Sequence, residues 1–191
     1  MPGAALAFGA LVLAALVFEP PGEDPIETET SFIMAGPALA QLVPGPGTSA
    51  RLQPGAGAPV MRLTATASLD AAGQLSAGVA AVIPRTFAQR VPGRLIKVEA
   101  TLRAGPDSSL TEARLGYFTV GEGDSGWRMA PVTGAFETVG FCHRVSPNAP
   151  DNEMEFAGVW PDPRGGGRVL LLRELRVTIQ PDDVSEAACA A

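Results

Sequence analysis

From Val60 onward the hydrophobic pattern has a period of two. Met61, Leu63, Ala65, Ala67 and Leu69 alternate with Arg62, Thr64, Thr66 and Ser68, and Asp70-Ala71-Ala72-Gly73 reads as the turn that closes this strand. A second run, Leu75 to Ile83, is small and apolar, and Pro84 to Pro92 makes a connection. In Leu95–Arg103, Ile96, Val98, Ala100 and Leu102 face one way while Lys97, Glu99, Thr101 and Arg103 face the other. One buried and one wet face is the signature of an antiparallel sheet. Three more segments read as strands, Ala113–Val120, Ala135–Val145 and Glu153–Trp160, separated by loops rich in Gly, Asp, Asn and Pro. Arg168 to Ile179 places Val169, Leu171, Leu175, Val177 and Ile179 on one face, with Arg173 the exception. Seven or eight strands, and no convincing helix after residue 57, predict an all-β chain. Its form is a two-sheet antiparallel β-sandwich of jelly-roll type over residues 58–180.

The N-terminal third has a different texture. Gly3 to Phe18 is an unbroken apolar run, about 24 Å long as a helix and slightly short of the roughly 30 Å hydrocarbon core of a bilayer. No Lys or Arg precedes it, and it ends Val17-Phe18-Glu19-Pro20-Pro21 without a small-residue cleavage site. A single-pass anchor within residues 1–19 is the favoured reading, with Leu6, Phe8, Leu11, Leu13, Leu16 and Phe18 facing lipid. A cleaved signal and a buried helix are the alternatives. With the first basic residue only at Arg51, the positive-inside rule has almost nothing to count. The α-amine before the run and the acids after it point the same way, with the body of the protein expected on the extracytoplasmic side, periplasmic in a bacterium. Pro20 to Gly57 reads as a Pro/Gly-rich acidic stalk or a wrapping arm, because its prolines prevent a long helix. Its apolar patch SFIMAGPALAQLV is expected to pack on its own domain, lie on the bilayer or contact a partner. Pro181 to Ala191 reads as a loose tail.

Composition narrows the function. Of 191 residues 46% are hydrophobic, enough for a core, and 22 Gly with 18 Pro favour many turns. A formal net charge of -6 leaves no basic surface for nucleic acid. The single lysine, Lys97, makes a polybasic lipid-binding patch improbable. Two cysteines are present, Cys142 in a predicted strand and Cys189 in the tail. The simplest reading is two free thiols, with a disulfide between them as the alternative.

The succession VPGRLIKVEATLRA, LGYFTVGEGDSGW, VTGAFETVGFCHRV, AGVWPDPRGGG and LLLRELRVTI resembles the galactose-binding-like jelly roll of non-catalytic carbohydrate-binding modules. Gly93, Leu95, Val98, Thr133, Gly134, Leu175 and Val177 match that pattern, over about residues 58–180. Phe136 stands where the family has a tryptophan. These motifs are structural, so the resemblance implies the fold more strongly than a sugar ligand.

Catalytic chemistry is weakly represented. The one histidine, His143, neighbours Cys142 on a strand, and adjacent strand residues point to opposite faces, so the two cannot form a catalytic pair. Asp124, Asp162, Glu153 and Glu155 could supply the two carboxylates of a glycosidase, yet nothing in the sequence sets them across a cleft. GEGDSG lacks the strand–turn–helix context of a phosphate loop. No zinc-ligand spacing occurs, no cofactor is implied, and a calcium on Asp124 or Asp162 is left open. Binding suits the residues better than catalysis. Sugars offer apolar C–H faces rimmed by hydroxyls, so aromatic faces flanked by Arg, Asp or Asn suit them. The candidates are Trp127 with Arg128, Trp160 with Asp162 and Arg164, and Tyr117; for each tryptophan the competing reading is a plug at the end of the sandwich.

Two functions follow. The first is a membrane-tethered, non-catalytic module that binds a carbohydrate. The second is an accessory subunit of a membrane protein complex, with the apolar helix packed on partner helices through Gly3, Ala7, Gly9, Ala10 and Ala14 and the sandwich as a docking platform.

Overall fold

The computed structural model describes residues 23–73, 76–119, 122–149 and 154–189. The apolar run and its expected lipid-facing residues lie outside them, and no described helix is long and apolar enough to cross a membrane. In chain order the elements are β1 (Ile26–Glu27), β2 (Ser31–Ala35), a 3-10 turn (Gly36–Gln41), β3 (Val43–Pro44), β4 (Thr48–Gln53), β5 (Val60–Ala65), α1 (Leu69–Ala72) and β6 (Val79–Ile83). There follow α2 (Arg85–Ala88), β7 (Leu95–Ala104), β8 (Glu112–Phe118), β9 (Arg128–Pro131), β10 (Glu137–Arg144), β11 (Glu155–Trp160), β12 (Leu170–Ile179) and α3 (Glu186–Cys189).

Two antiparallel sheets face each other as a sandwich. The five-stranded sheet has the order β3-β6-β11-β8-β9. In the seven-stranded sheet β12 is central. One of its edges pairs with β7, which carries β10; the other pairs with β5 through Leu170–Leu172 and with β2 through Glu174–Thr178. The inner faces supply one core, with Leu63, Val98, Leu102, Leu115, Val159, Leu172 and Val177 among its buried residues. The alternation of β7 holds from Ile96 to Ala104, while Leu95 at its start is buried on the outer side under α3.

Four expectations are corrected. Pro20–Gly57 is not a free stalk over its described part, because Ile26–Gln53 supplies β1 to β4 and β2 pairs with β12. Phe32, Met34 and Leu39 of the apolar patch are buried in the common core, so that patch packs on its own domain. Prolines blocked a helix there but left edge strands available. The β5 strand ends at Ala65, and Leu69 opens α1, where the Ser68 hydroxyl caps the Ala71 N–H. In β12 the register shifts between Leu172 and Glu174, so Arg173 is an extra residue at a bulge. The bulge inverts the side-chain parity: Leu170 and Leu172 point inward before it, Leu175 and Val177 after it, and Leu171 faces outward against the expectation. Finally, Cys142 and Cys189 form a disulfide, so the tail up to Cys189 is tied down. Cys142 pairs with Lys97, on the outer side of the sheet, where α3 packs with Leu95 and Val184 beside the bond.

Candidate functional site

The outer face of the five-stranded sheet is concave and largely apolar. Alternation in β8 sends Leu115 and Tyr117 to the core and Gly116 and Phe118 outward. In β11 it sends Ala157 and Val159 inward and Phe156, Gly158 and Trp160 outward. In β6 it leaves Ala80 and Val82 outside. The register sets Phe118 beside Phe156, Gly116 beside Gly158, Gly158 beside Ala80 and Phe156 beside Val82. The floor is therefore glycine and alanine at its centre with aromatic rings at one end.

The glycines have a spatial reason. A Cβ on Gly116 would stand 2.5 Å from Cζ of Phe118, and one on Gly158 would run into the Ala77 carbonyl and lie 3.2 Å from the same ring. The Phe118 ring thus lies back over both positions. Gly78 is at φ +67°, and a Cβ there would come within 3.2 Å of the Trp127 indole.

The groove over this floor encloses about 840 Å³. Val43, Gly45 and Pro46 line it together with Leu69, Asp70 and Gly73 of the α1 segment and with Phe118, Asp124 and Trp127. Three contacts fix Trp127: edge-on packing against Phe118 at 4.9 Å between centroids, the same against Trp160 at 5.9 Å, and an Nε1–H donated to the Gly73 carbonyl at 3.1 Å. Its ring remains part-exposed. Asp124 is exposed and accepts bonds from the Thr119 N–H at 2.6 Å and the Thr119 hydroxyl at 3.2 Å. The described lining contains two carboxylates, Asp70 and Asp124, and no lysine or arginine.

Only Trp127 among the expected ligand-binding residues lies in this groove. Tyr117 and Trp160 are fully buried, so neither ring is open to a ligand. Tyr117 points into the core and donates its hydroxyl to the buried Glu155 carboxylate. Burial, then the neighbouring negative charge, pushes the Tyr117 phenol above its ordinary value. Burial also raises Glu155, which the Tyr117 hydrogen bond only partly offsets and the Asp124 charge augments.

Asp162 is likewise fully buried. It accepts the Arg164 and Arg168 N–H groups at 3.2 and 3.1 Å and the Arg168 guanidinium through Nε at 3.2 Å and Nη2 at 2.6 Å. Burial alone would raise its pKa, but these donors hold the carboxyl below its usual value. Both oxygens are engaged by protein donors, which leaves no calcium ligand there. Arg164 is exposed on the turn beyond, outside the groove. Arg128 is exposed on β9, paired with Leu115 and therefore on the inward register of that edge strand. Among the described residues no group of three His, Cys, Asp or Glu side chains could hold a metal ion. His143 turns inward at the edge of β10 and donates Nε2–H to the Gly123 carbonyl at 2.7 Å.

Sequence reading missed Phe118, Phe156 and Asp70 as groove residues. The signal was present: in LGYF the two aromatic residues are adjacent, so if Tyr117 enters the core, Phe118 must leave it.

Neither a protein-family model nor a curated protein matches the sequence. Solved structures do. The N-terminal CBM22-1–CBM22-2 tandem domain from a Paenibacillus barcinonensis protein aligns at TM-score 0.50 and 11% identity, over 73% of this chain and 42% of that one. A structure described as a CBM4 module aligns at TM-score 0.47 and 12% identity, over 83% and 96%. The family 11 carbohydrate-binding module of a Clostridium thermocellum cellulosomal cellulase aligns at TM-score 0.41 and 9% identity, over 81% and 90%. At such identities the likeness concerns architecture. The described chain is a jelly-roll β-sandwich similar to those of carbohydrate-binding modules.

Proposed function

We propose that this chain is a membrane-tethered, non-catalytic carbohydrate-binding module whose ligand lies in the groove over the five-stranded sheet. The observation that carries this reading is Trp127. It is a part-exposed indole held in one orientation by two aromatic rings and a backbone carbonyl, at the wall of a concave apolar face. A sugar ring stacks its C–H face on such a surface, and Asp70 and Asp124 accept hydrogen bonds from its hydroxyls. The absence of cations from the described lining favours neutral sugars over acidic ones at this site. Tethering is supported by the apolar run Gly3–Phe18. An extracytoplasmic setting is supported by the Cys142–Cys189 disulfide, which persists in oxidising compartments.

The test is titration with a panel of neutral polysaccharides, followed by tryptophan fluorescence and by retardation in polysaccharide-containing gels. Saturable binding, lost in Trp127→Ala and weakened in Phe156→Ala with the melting temperature of the second variant near that of the parent, supports the reading. No retardation and no fluorescence change from folded protein across the panel overturns it.

A further inference from the structure

The opposite outer face carries a feature that the groove does not explain. Strand register aligns Arg51 of β4 with Arg62 of β5, Arg62 with Leu171 of β12, and Leu171 with Arg103 of β7. Their inward neighbours Leu63, Leu170 and Ala104 belong to the core, so this lateral row is on the outside. Adjacent strands lie about 4.8 Å apart, so the row from Arg51 to Arg103 spans about 14 Å. Arg173, the bulge residue of β12, joins it. Its guanidinium stacks on the Phe136 ring at 3.9 Å from the centroid, and that of Arg103 approaches the same ring at 5.0 Å.

Four arginines thus share one stripe on a protein of net charge -6. Arg90, Arg94, Lys97, Arg114, Arg168 and Arg176 are each ion-paired with a carboxylate. Arg51, Arg62, Arg103 and Arg173 have no such partner among the described residues. On the same face Glu99 is taken by Lys97 and Glu174 by Arg176. Like charges directly opposite each other on paired strands are destabilising, and folding does not require arginine at both Arg51 and Arg62. Leu171 is buried between Arg62 and Arg103 in the row, as expected where arginine stems cover an apolar side chain and keep their heads in water.

We infer that this stripe is a second binding site, for an acidic polysaccharide bearing one carboxylate per sugar. Guanidinium groups match carboxylates bidentately, and Phe136 holds two of them in place before the ligand arrives. The row is one residue wide and crosses four strands, which suits a chain laid along it rather than a planar lipid surface. Net charge opposes every polyanion, but least one with widely spaced charges, which disfavours nucleic acid. This site is independent of the groove on the other sheet.

The test titrates the whole chain with polygalacturonate at low and at physiological salt, by calorimetry and gel retardation, with phosphatidylserine vesicles and a neutral polysaccharide in parallel. We expect saturable polygalacturonate binding that weakens with salt. Arg51→Gln/Arg62→Gln should lose about tenfold in affinity, the order expected for two surface charge contacts. Arg103→Gln/Arg173→Gln should lose at least as much, and Arg51→Lys/Arg62→Lys should fall between. These side chains are solvent-facing, so thermal melting identifies any variant that fails to fold, and the Lys pair keeps the test alive. No binding at low salt, binding indifferent to all three variants, or arginine-dependent binding to vesicles without binding to polygalacturonate would each overturn the inference.

Discussion

Removing the charge of Asp162 should destabilise the fold severely, because this carboxylate organises the turn between β11 and β12. It is fully buried and takes four donors, two of them from the Arg168 guanidinium. In Asp162→Asn one oxygen becomes an amide that points N–H groups at N–H groups. Breaking a buried pair by removing one partner typically costs about 3–5 kcal/mol. Here the lower end applies, because Arg168 is 26% exposed and can recover water once its partner is gone. A loss of about 3 kcal/mol at a urea slope of about 2 kcal/mol per molar moves the unfolding midpoint down by roughly 1.5 M. The second arm is Asp162→Asn/Arg168→Met. Replacing both partners removes the stranded charge, so this variant should recover much of the loss. The pH dependence has a defined sign. The folded pKa is depressed, so the stabilisation is complete above the unfolded value of about 3.9 and disappears as pH falls through the folded one. The gap between parent and Asp162→Asn should therefore close in acid. A midpoint shift under about 0.5 M for the single variant, or a double variant no better than the single, would refute the argument.

Glu155 should behave in the opposite sense. Its folded pKa is raised, first by burial, so its protonated form is the stable one; stability is complete below the unfolded value of about 4.3 and falls as pH rises through the folded pKa. Urea midpoints measured between pH 4 and 8 should drop for the parent and flatten in Glu155→Gln; an identical slope in both would refute the assignment. Reducing the Cys142–Cys189 bond, which closes a loop of 47 residues, should cost at most about 4 kcal/mol. Because α3 packs outside the main core, far-ultraviolet dichroism should persist after reduction while the denaturation midpoint falls. An unchanged midpoint would show that the bond does not stabilise the fold.

The strands with two distinct faces were legible, and the reason is physical. From Ile96 on, every second residue of β7 must be apolar, because one face meets the core and the other meets water, and the bulge in its ladder with β12 puts the extra residue on β12. β12 was legible as a strand but not in parity. Arg173 broke the pattern, and only the register shows that the break is an inserted residue rather than a buried charge. Strands β1, β3 and β4 were hidden because edge strands tolerate the Pro and Gly that read as a stalk, and β2, five residues long between them, was read only as an apolar patch. Two tryptophans at loop edges looked alike, yet Trp160 continues the outward set of β11 and is roofed by Trp127, while Trp127 remains part-exposed. Which one a ligand can reach depends on how loops from distant parts of the chain close over the sheet, and local pattern does not encode that. The disulfide was equally hidden, since it depends on the tail folding back over β10.

Both proposed sites break local rules of sheet stability. Glycine inside a strand costs roughly 0.5–1 kcal/mol relative to alanine, and the five-stranded sheet pairs two of them side by side, Gly116 and Gly158. Like charges opposite each other cost stability, and the seven-stranded sheet pairs Arg51 with Arg62. Neither arrangement is needed to fill the core, because all four positions are on outer faces. The glycine pair gives the Phe118 ring a floor to lie on, and that floor is the centre of the groove. No carboxylate among the described residues offsets the charge of the arginine pair, and the cover that the Arg62 stem gives Leu171 does not need that charge. A rule broken without structural compensation points to a requirement outside the fold. By that reasoning the arginine stripe makes a stronger demand for an external partner than the groove does, and the two titrations separate the two demands by the charge of the sugar.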